Sequence, residues 1–430
     1  MDRAVPASFW RGGTSRAVLF REDDLSEFGP EQVEAIILAS LGSPDPDGRQ
    51  IDGLGGGISS LSKAAVVGPA PTGSGADVAF RFAQVEVAEP WVDFTGNCGN
   101  ISAAVAPFAV NEGLVPAGDS PRQPGEGRDP APGASADRAG VDVVVLSLNT
   151  GQRFATRVPL RGDRYDPAGD FAIDGVPGTG ARLHLEYLDA GGSIGRGALP
   201  TGQVREVVEL PDLGAVPVSV VDVGNPAVFV AATALDVPAA VAASPAALDA
   251  DEVLQGRLER IRCEAAVRIG VADSLSDAGR HHRTVPKVAL VGAPGAYRTT
   301  SGTEVAAADV DLLVRLISMG RTHRTLAMTG AMACAAAAAM DGSVVAELAG
   351  GSISATPPET GEAAGTARRV RLGHPAGILA MEVTAEGAAG AWRVPSLVVD
   401  RTAREIMRGT VQVPQAYLDG EAWFASGSPP

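Results

Sequence analysis

The 430-residue sequence contains little cysteine and few aromatic residues. Cysteine occurs three times, at Cys98, Cys263 and Cys334, and aromatic residues make up 4% of the chain. Three cysteines this far apart provide neither a disulfide framework nor the ligand spacing of a zinc site, so the sequence predicts no metal centre. The hydrophobic share of 45% rests instead on Ala, Val and Leu.

Long apolar runs and an excess of positive charge are also missing. The longest run of small apolar residues, 331–340, is about half as long as a membrane-spanning helix, and the N-terminal residues lack the apolar core of a signal peptide. A net charge of −16 and a pI of about 4.8 disfavour nucleic acids and anionic membranes as partners, since both attract basic surfaces. We therefore expect a soluble, cytoplasmic protein whose partner is a small molecule.

Lysine is the scarcest charged residue. Of the 35 basic residues, two are lysines, Lys63 and Lys287, and the others are arginines. In such an arginine-rich chain, a lysine that has not been replaced is a candidate for a task that arginine cannot perform, such as giving up its proton near neutral pH. The alternative is that the two lysines remain by chance.

Short Val-rich runs bounded by Gly or Pro, together with longer runs of helical periodicity, predict a mixed fold of two or three domains. The predicted strands comprise residues 63–67, 78–87, 141–148, 216–223, 229–232, 288–291 and 378–383. The predicted helices comprise residues 30–41, 100–111, 248–267, 306–318, 325–340 and 401–408. Because strands outnumber helices and rarely alternate with them, a doubly wound parallel sheet is not favoured.

An internal similarity divides the chain into two parts. Residues 95–106 (TGNCGNISAAVA) and 329–338 (TGAMACAAAA) both run from Thr-Gly into a helix that is apolar on every side, and such a helix must be surrounded by protein. We therefore predict two pseudo-symmetric domains, 1–185 and 186–399, with a cleft between them. The alternative is two alanine-rich core helices that are alike in composition alone.

Two further segments fall outside this division. Residues 400–430 are expected to return to the first domain. Residues 117–140 are rich in Pro, Gly, Asp and Arg and have no periodicity, which predicts a disordered insertion without a chemical role.

Residues 96–100 (GNCGN) stand at the start of the first central helix. Their glycines let the backbone approach a ligand closely, the helix N-terminus attracts anions, and the same field stabilises a thiolate at Cys98. These features indicate a functional cysteine, and a buried structural cysteine with Asn as the helix cap is the alternative. Cys263 and Cys334 stand among apolar helical neighbours and are predicted to be core residues.

Residues 53–63 (GLGGGISSLSK) form a Gly- and Ser-rich loop that leads into a strand at Lys63. The loop matches neither a P-loop nor a dinucleotide-binding turn. A partly desolvated lysine at the mouth of a strand can act as a general base, and a solvated strand-end lysine is the alternative. The segments 11–16 (RGGTSR) and 318–321 (SMGR), with Arg324, are suited to binding carboxylates through paired guanidinium N–H groups.

Eight motifs occur in one order along the chain. They are WRGGTS at 10–15, GSPDP and QIDG at 42–46 and 50–53, SSLSK at 59–63, DFTGNCGN at 93–100, and the segments 286–291, 309–320, 373–377 and 401–409. Together they resemble the 2-methylaconitate cis–trans isomerase (PrpF) family, over about residues 10–413. The resemblance implies the diaminopimelate-epimerase-like α+β fold, with two pseudo-symmetric domains that each wrap a mostly antiparallel sheet round a central helix. It also implies that the protein uses no organic cofactor and no metal.

The resemblance assigns individual residues as well. The family's catalytic lysine and cysteine fall on Lys63 and Cys98. The predicted substrate-binding residues are Arg11, Gly13, Thr14, Ser15, Ser62, Asn97, Gly99, Asn100, Asn225, Ser318, Gly320 and Arg321. Arg16 and Arg321 stand where the family usually has lysine, which keeps the charge and changes the geometry.

The implied function is the isomerisation of small unsaturated tricarboxylates of the 2-methylaconitate or aconitate type. Lys63 removes a proton beside a carboxylate to give a dienolate, which backbone amides and arginines stabilise, and Lys63 or Cys98 returns the proton. The alternatives are a 4-oxalomesaconate-type keto–enol tautomerase, a methylitaconate isomerase and, from another class, a carboxylate-binding homologue without catalysis.

The two similar segments bear on the type of chemistry. Aligning them places Met332 opposite Cys98 and turns Cys334 away from it, which disfavours a racemase with two facing thiols. The sequence leaves open which tricarboxylate is the substrate and whether the protein is a homodimer.

Overall fold

The computed structural model describes residues 2–116, 139–351, 353–356, 367–388 and 391–420. The predicted insertion at 117–140 therefore lies outside the described residues, apart from its last two. The α-helices are α1 (Pro30–Leu41), α2 (Gly99–Asn111), α3 (Pro245–Asp249), α4 (Glu252–Arg268), α5 (Leu275–His281), α6 (Met328–Ala339), α7 (Val344–Ala349) and α8 (Gln415–Leu418). Within the described ranges, none of these helices is long and apolar enough to cross a membrane.

Strands make up most of the remaining regular structure. They are β1 (Arg3–Gly12), β2 (Ser15–Arg21), β3 (Lys63–Pro69), β4 (Val78–Val85), β5 (Val92–Asp93), β6 (Gly140–Ser147), β7 (Arg153–Arg161), β8 (Arg164–Tyr165), β9 (Leu183–Leu188), β10 (Glu206–Leu210), β11 (Gly214–Val223), β12 (Asn225–Ala231), β13 (Lys287–Gly292), β14 (Tyr297–Arg298), β15 (Glu304–Val305), β16 (Leu312–Ser318), β17 (Arg321–Thr322), β18 (Ser354–Thr356), β19 (Ala367–His374), β20 (Gly377–Ala388), β21 (Ala391–Arg401) and β22 (Ala403–Val413).

One order of strand pairings occurs twice, and we name the two sets the first half (β1–β7) and the second half (β11–β20). In the first half, β1–β2 is antiparallel, β2–β3 parallel, β3–β4 antiparallel, β4–β6 parallel and β6–β7 antiparallel. In the second half, β11–β12, β12–β13, β13–β16, β16–β19 and β19–β20 repeat these five senses in the same order. This repetition confirms the predicted pseudo-symmetric α+β fold.

A buried helix fills each half. In α2 every residue from Gly99 to Val110 is buried, and in α6 every residue from Met328 to Ala339 is buried. The first helix packs against β1, β2 and β22, and the second packs against β11, β12 and β20. The small side chains of these helices, mostly Ala, allow the enclosing strands to approach closely, as the all-round apolar pattern indicates.

The C-terminal strands connect the ends of the chain. Strand β22 pairs antiparallel with β1 from Arg3 to Gly12, so residues 403–413 lie in the sheet of the first half. Strand β21 pairs with both β20 and β9. Because β9 spans the predicted domain boundary at residue 185 and joins β7 to β21, the sheet is continuous there and the boundary itself stays a prediction.

Three predicted helices differ in the structure. Residues 306–318 and 401–408 contain no α-helix: the first segment has one short 3₁₀ turn, Ala307–Asp309, followed by strand β16, and the second spans the end of β21 and the start of β22. Strand β16 is apolar and almost wholly buried, and an apolar run without alternation does not separate a buried strand from a helix. Residues 248–267 divide into the end of α3 and most of α4, because the side chain of Asp251 accepts a hydrogen bond from the Leu254 N–H and begins a second helix.

Candidate active site

A cavity lies between the two halves, where the N-termini of α2 and α6 meet. It has about 490 Å³ of space including its open mouth. The first half contributes Ser15, Ser59, Lys63, Phe82, Gln84, Asp93, Gly96, Asn97, Cys98, Gly99 and Asn100 to its lining. The second half contributes Asn225, Thr284, Val285, Lys287, Ser318, His323, Ala327, Met328 and Thr329.

Lys63 is the first residue of β3 and is 6% exposed. Its ammonium Nζ donates a hydrogen bond to the Oε1 atom of Gln84, and the Gln84 amide donates in turn to the carbonyl oxygens of Ser59 at 3.1 Å and Ser62 at 2.9 Å. These bonds orient the carbonyl of the Gln84 side chain towards the lysine. Burial lowers the pKa of Lys63, against an opposing charge interaction with Cys98, so this amine gives up its proton more readily than an exposed lysine does.

Cys98 lies at the N-cap position of α2, in an extended backbone conformation before the first helical turn. Its thiol is free and partly exposed in the cavity. The Cys98 N–H donates to the Oδ1 atom of Asn97 at 2.7 Å. The next N–H groups, of Gly99 and Asn100, belong to the first helical turn, which lacks carbonyl partners within the helix, so they are available to an anion.

The loop before Cys98 is held by the second half of the protein. The Asn97 N–H donates to the Oδ1 atom of Asn225 at 3.0 Å, and the Nδ2 atom of Asn225 donates to the Asn97 carbonyl at 2.9 Å. Asn225 is the first residue of β12 and is 2% exposed. This reciprocal pair fixes the position of the thiol relative to the other half, so the cavity requires both halves.

Lys287, the other lysine of the chain, also lines the cavity. Its Nζ donates to the carbonyl oxygen of Thr284 at 2.8 Å, and the Thr284 hydroxyl donates to the Oδ2 atom of Asp93. Burial, and next the charge of Lys63, lower the pKa of Lys287 to about 8. The sequence singles out this residue by the scarcity of lysine, although it is not among the predicted site residues.

His323 is a site residue that sequence reasoning missed. Its Nδ1 atom accepts a hydrogen bond from the Thr325 N–H at 3.2 Å, which leaves the ring proton of the neutral imidazole on Nε2. Burial, and next the charges of Lys63 and Lys287, lower the pKa of His323 to about 3. The ring is therefore a neutral group in the cavity wall, and no motif or spacing in the sequence distinguishes it from an ordinary turn residue.

The cavity includes some of the predicted substrate-binding residues and not others. Those that line it are Ser15, Asn97, Gly99, Asn100, Asn225 and Ser318, and those that do not are Arg11, Gly13, Thr14, Ser62, Gly320 and Arg321. Arg11 donates from Nη1 to the carbonyl oxygens of Gly13 and Thr402, both at 2.9 Å. Arg321 is exposed. In the described residues that line the cavity, the cationic side chains are therefore lysines rather than the predicted arginines.

The helix starts correct the alignment of the two similar segments. Helix α6 begins at Met328, so Ala327 holds the N-cap position that Cys98 holds in α2. Met332 lies one turn farther along, fully buried and away from the cavity lining, and is not opposite Cys98 as predicted. The Thr-Gly pair precedes α2 and lies inside α6, so the repeated letters are not in structural register. Cys334 is fully buried, and among the described residues the cavity contains a single thiol.

Comparisons with known proteins show which family the chain resembles. The PrpF protein family matches residues 2–414. The 2-methyl-aconitate isomerase of Cupriavidus necator is 36% identical over 95% of this chain and 97% of its own length. The 4-oxalomesaconate tautomerase of Pseudomonas putida is 34% identical over 95% of each chain. A crystal structure of a methylitaconate-delta-isomerase has a TM-score of 0.70 and 33% identity, and covers 99% of this chain and 100% of the other.

The family match, the similar lengths of the relatives and the repeated strand pairings all concern nearly the whole chain. The chain belongs to the PrpF protein family.

Proposed function

We propose that the protein is an isomerase of small unsaturated tricarboxylates, of the 2-methylaconitate or aconitate type, that moves a proton through a dienolate without a cofactor. The observation that carries the proposal is the position of a buried lysine amine and a free thiol in one cavity at the start of a helix. Membership of a family whose relatives are isomerases and a tautomerase supports the reaction class.

The cavity is suited to a substrate with several negative charges. The chain as a whole carries a net charge of −16 and so repels an anion at long range. Lys287 and the N-terminus of α2 concentrate positive potential in the cavity, where burial reduces screening by water. We expect the carboxylates of the substrate to bind to these groups.

The proton transfer follows from the state of Lys63. As a neutral amine it removes a proton from the carbon that lies between a carboxylate and the double bond. The electron pair of the broken C–H bond becomes delocalised over the carboxylate and the double bond, which gives a dienolate. The N–H groups of Gly99 and Asn100 and the charge of Lys287 stabilise the negative charge that develops. Lys63 or Cys98 then returns a proton, which restores the double bond with a new geometry or at a new position.

The same step serves a second reaction. Keto–enol tautomerisation of an oxalomesaconate-type substrate also begins with removal of an acidic proton, here from the carbon between the keto group and the double bond. The 4-oxalomesaconate tautomerase of Pseudomonas putida favours this candidate, at 34% identity over nearly its whole length.

Proton exchange with solvent tests the proposal. Wild-type protein in D₂O is incubated with a panel of cis-aconitate, trans-aconitate, 2-methylaconitate, methylitaconate and 4-oxalomesaconate, and NMR follows the allylic protons. We expect deuterium in the allylic position of at least one compound, loss of exchange in Lys63→Met, and full exchange in Arg298→Met, which removes an exposed cation from the second half. Binding of these compounds without exchange by the wild type would contradict catalysis and leave a carboxylate-binding protein.

A further inference from the structure

The register of two strands fixes which group meets the amine of Lys63. In the antiparallel pairing of β3 with β4, Gln84 lies directly opposite Lys63, and opposite residues of such a pair have neighbouring side chains. The Oε1 atom of Gln84 is the one hydrogen-bond acceptor of the Lys63 Nζ atom among the described residues. The amine is therefore bonded to a neutral amide and not to a carboxylate.

The side-chain amide of Gln84 can take only one orientation. Its Nε2 atom donates to the carbonyl oxygens of Ser59 and Ser62, at 3.1 Å and 2.9 Å. These oxygens accept hydrogen bonds and cannot donate them, so a flipped amide would place Oε1 against two acceptors. The Gln84 oxygen is therefore held towards Lys63.

A second buried glutamine, Gln50, fixes the loop that carries these two carbonyls. Gln50 is 1% exposed, and its Nε2 atom donates to the hydroxyl of Ser62 at 2.7 Å. Its Oε1 atom accepts from the N–H groups of Gly56 and Gly57, at 3.0 Å and 2.9 Å. The Gly- and Ser-rich loop is thus fastened to one buried side chain directly before Lys63.

The second half has no such amide at the equivalent position. Lys287 begins β13 as Lys63 begins β3, between a parallel and an antiparallel neighbour. Continuing the register of β13 and β16 by one residue places Ser318, with its short side chain, opposite Lys287. The Nζ atom of Lys287 donates to the Thr284 carbonyl instead. Of the two equivalent lysines, only Lys63 therefore has a long neutral amide opposite it.

The surroundings of the Lys63 Nζ atom direct the lone pair of the neutral amine. A carbonyl oxygen such as Oε1 of Gln84 attracts an N–H group of the amine and repels its lone pair. The face of the Phe82 ring, whose centroid is 5.2 Å from Nζ, is also electron-rich. These two neighbours turn the lone pair away from themselves, towards the cavity.

An amide also differs from a carboxylate in charge. A carboxylate bonded to a lysine favours the ammonium and raises its pKa, and an ammonium cannot act as a base. The titratable groups that line the cavity around Lys63 are Asp93 of β5, Cys98 at the start of α2, Lys287 of β13 and His323 before α6. Among the residues that the structure describes, none of these four is hydrogen-bonded to the Lys63 Nζ atom.

We propose that Gln84 is a positioning residue for the reaction: its fixed carbonyl oxygen turns the lone pair of Lys63 into the cavity, and its neutral amide leaves the amine free to accept a proton. This inference rests on the proposed function, in which Lys63 is the base. It also explains why the Gly- and Ser-rich loop is so firmly bonded, because the loop holds the two carbonyls that orient the amide.

The pKa of Lys63 tests the proposal without a substrate. Protein labelled with ¹³C-lysine has two ε-carbon NMR signals, because the chain contains two lysines, and Lys287→Arg identifies the signal of Lys63. Gln84→Glu places a negative charge beside the amine and should raise the pKa of Lys63 by about one unit or more. Gln84→Met removes the acceptor of the ammonium and should lower this pKa.

Steady-state kinetics test the orientation, with the compound that the wild type isomerises. Gln84→Met should lower kcat by about 10- to 100-fold through loss of orientation, with a smaller change in KM. In Gln84→Glu the acid limb of kcat/KM should move to higher pH, because the amine must lose its proton before it acts as a base. If Gln84→Met does not fold, Gln84→Asn takes its place, since its amide ends one carbon short of the amine.

The matched control is Gln412→Glu, which adds the same charge at an exposed glutamine of β22. It should match the wild type in the titration and in the kinetics. An unchanged pKa of Lys63 in both Gln84→Glu and Gln84→Met would overturn the inference, and so would a wild-type kcat in Gln84→Met. Absence of exchange and isomerisation in the wild type would instead refute the proposed function, and the titration would still decide whether Gln84 acts on the amine.

Discussion

Replacing Lys287 by methionine should make the protein more stable. The side chain is half-buried in the cavity, and burial together with the charge of Lys63 lowers its pKa to about 8 from an ordinary value of 10.5. A difference of about 2.5 pKa units corresponds to about 3 kcal/mol of unfavourable free energy for the charged amine in the folded state. Screening by water at the open mouth reduces this, so we expect a gain of about 2 kcal/mol at pH 7.

The pH dependence has a defined sign. Between pH 8 and pH 10.5 the unfolded lysine holds its proton more often than the folded one, so the free energy of unfolding of the wild type rises with pH across this window. The advantage of Lys287→Met is therefore complete below pH 8 and falls below about 1 kcal/mol at pH 10. Urea unfolding at pH 7 and pH 10, followed by tryptophan fluorescence, measures both values.

Arg298→Met provides the control, because its guanidinium is exposed and pairs with the exposed Glu304. Its free energy of unfolding should remain within about 0.5 kcal/mol of the wild type at both pH values. A Lys287→Met variant that is less stable than the wild type at pH 7, or whose gain persists at pH 10, would refute the reasoning. A stabilised and inactive variant would show that the charge is kept for function at the expense of stability.

Three further predictions concern the site and its support. Lys63→Arg replaces the neutral amine by a guanidinium that cannot give up its charge, so steady-state kinetics should show kcat lower by about 10²–10⁴-fold, and an active variant would exclude Lys63 as the base. Burial lowers the pKa of His323 to about 3, so as the pH falls the unfolded state takes up a proton before the folded state does. The free energy of unfolding of the wild type should therefore fall by about 2 kcal/mol between pH 6.5 and pH 5 because of this residue. In urea unfolding, the free energy of His323→Asn should fall by that much less, and an equal fall in both proteins would contradict the lowered pKa. A Cβ atom at Gly12 would lie 2.4 Å from the Asn100 carbonyl oxygen, so Gly12→Ala should lower the free energy of unfolding by about 1–3 kcal/mol. The control Gly409→Ala should leave it unchanged, because the nearest atom to a Cβ at that position is a side-chain atom 4.0 Å away.

The sequence predicted the parts of the fold that have strong local signals. The two central helices are apolar on every side, and such a helix is buried within the protein. The helices predicted at 306–318 and 401–408 were wrong, because the strands found there are set by pairing with strands that are distant in sequence. Strand β16 lies between β13 and β19, and β22 pairs with β1 at the opposite end of the chain. Tertiary pairing of this kind overrides local propensity.

The candidate site was predictable where a residue type was rare or a motif was dense. Lys63 and Cys98 stand in the two densest motifs, and the cavity contains both. The arginines were harder to place, since a sequence does not show which donors the protein itself uses. Arg11 donates to two backbone carbonyls, which satisfies buried acceptors within the fold. His323 follows β17 and precedes α6, and it lines the cavity because of where these two elements lie in the fold. No local pattern in the sequence shows that placement.

The sequence alone also did not show which residues of the two central helices are equivalent. Matching Thr-Gly to Thr-Gly aligned Cys98 with Met332, whereas the helix starts align Cys98 with Ala327. Helix starts depend on where each preceding strand ends, and the strand pairings supply that information. The same pairings relate Lys63 to Lys287, which share no neighbouring sequence.

A crystal structure of Lys63→Met with trans-aconitate tests most directly whether one small molecule meets both halves. The variant lacks the base and so holds the substrate without turning it over. We predict that aconitate lies in the cavity with its allylic carbon about 3.5 Å from the side chain at position 63, and with one of its carboxylates beside Lys287. Aconitate bound outside the cavity, or in contact with residues of one half alone, would contradict the account.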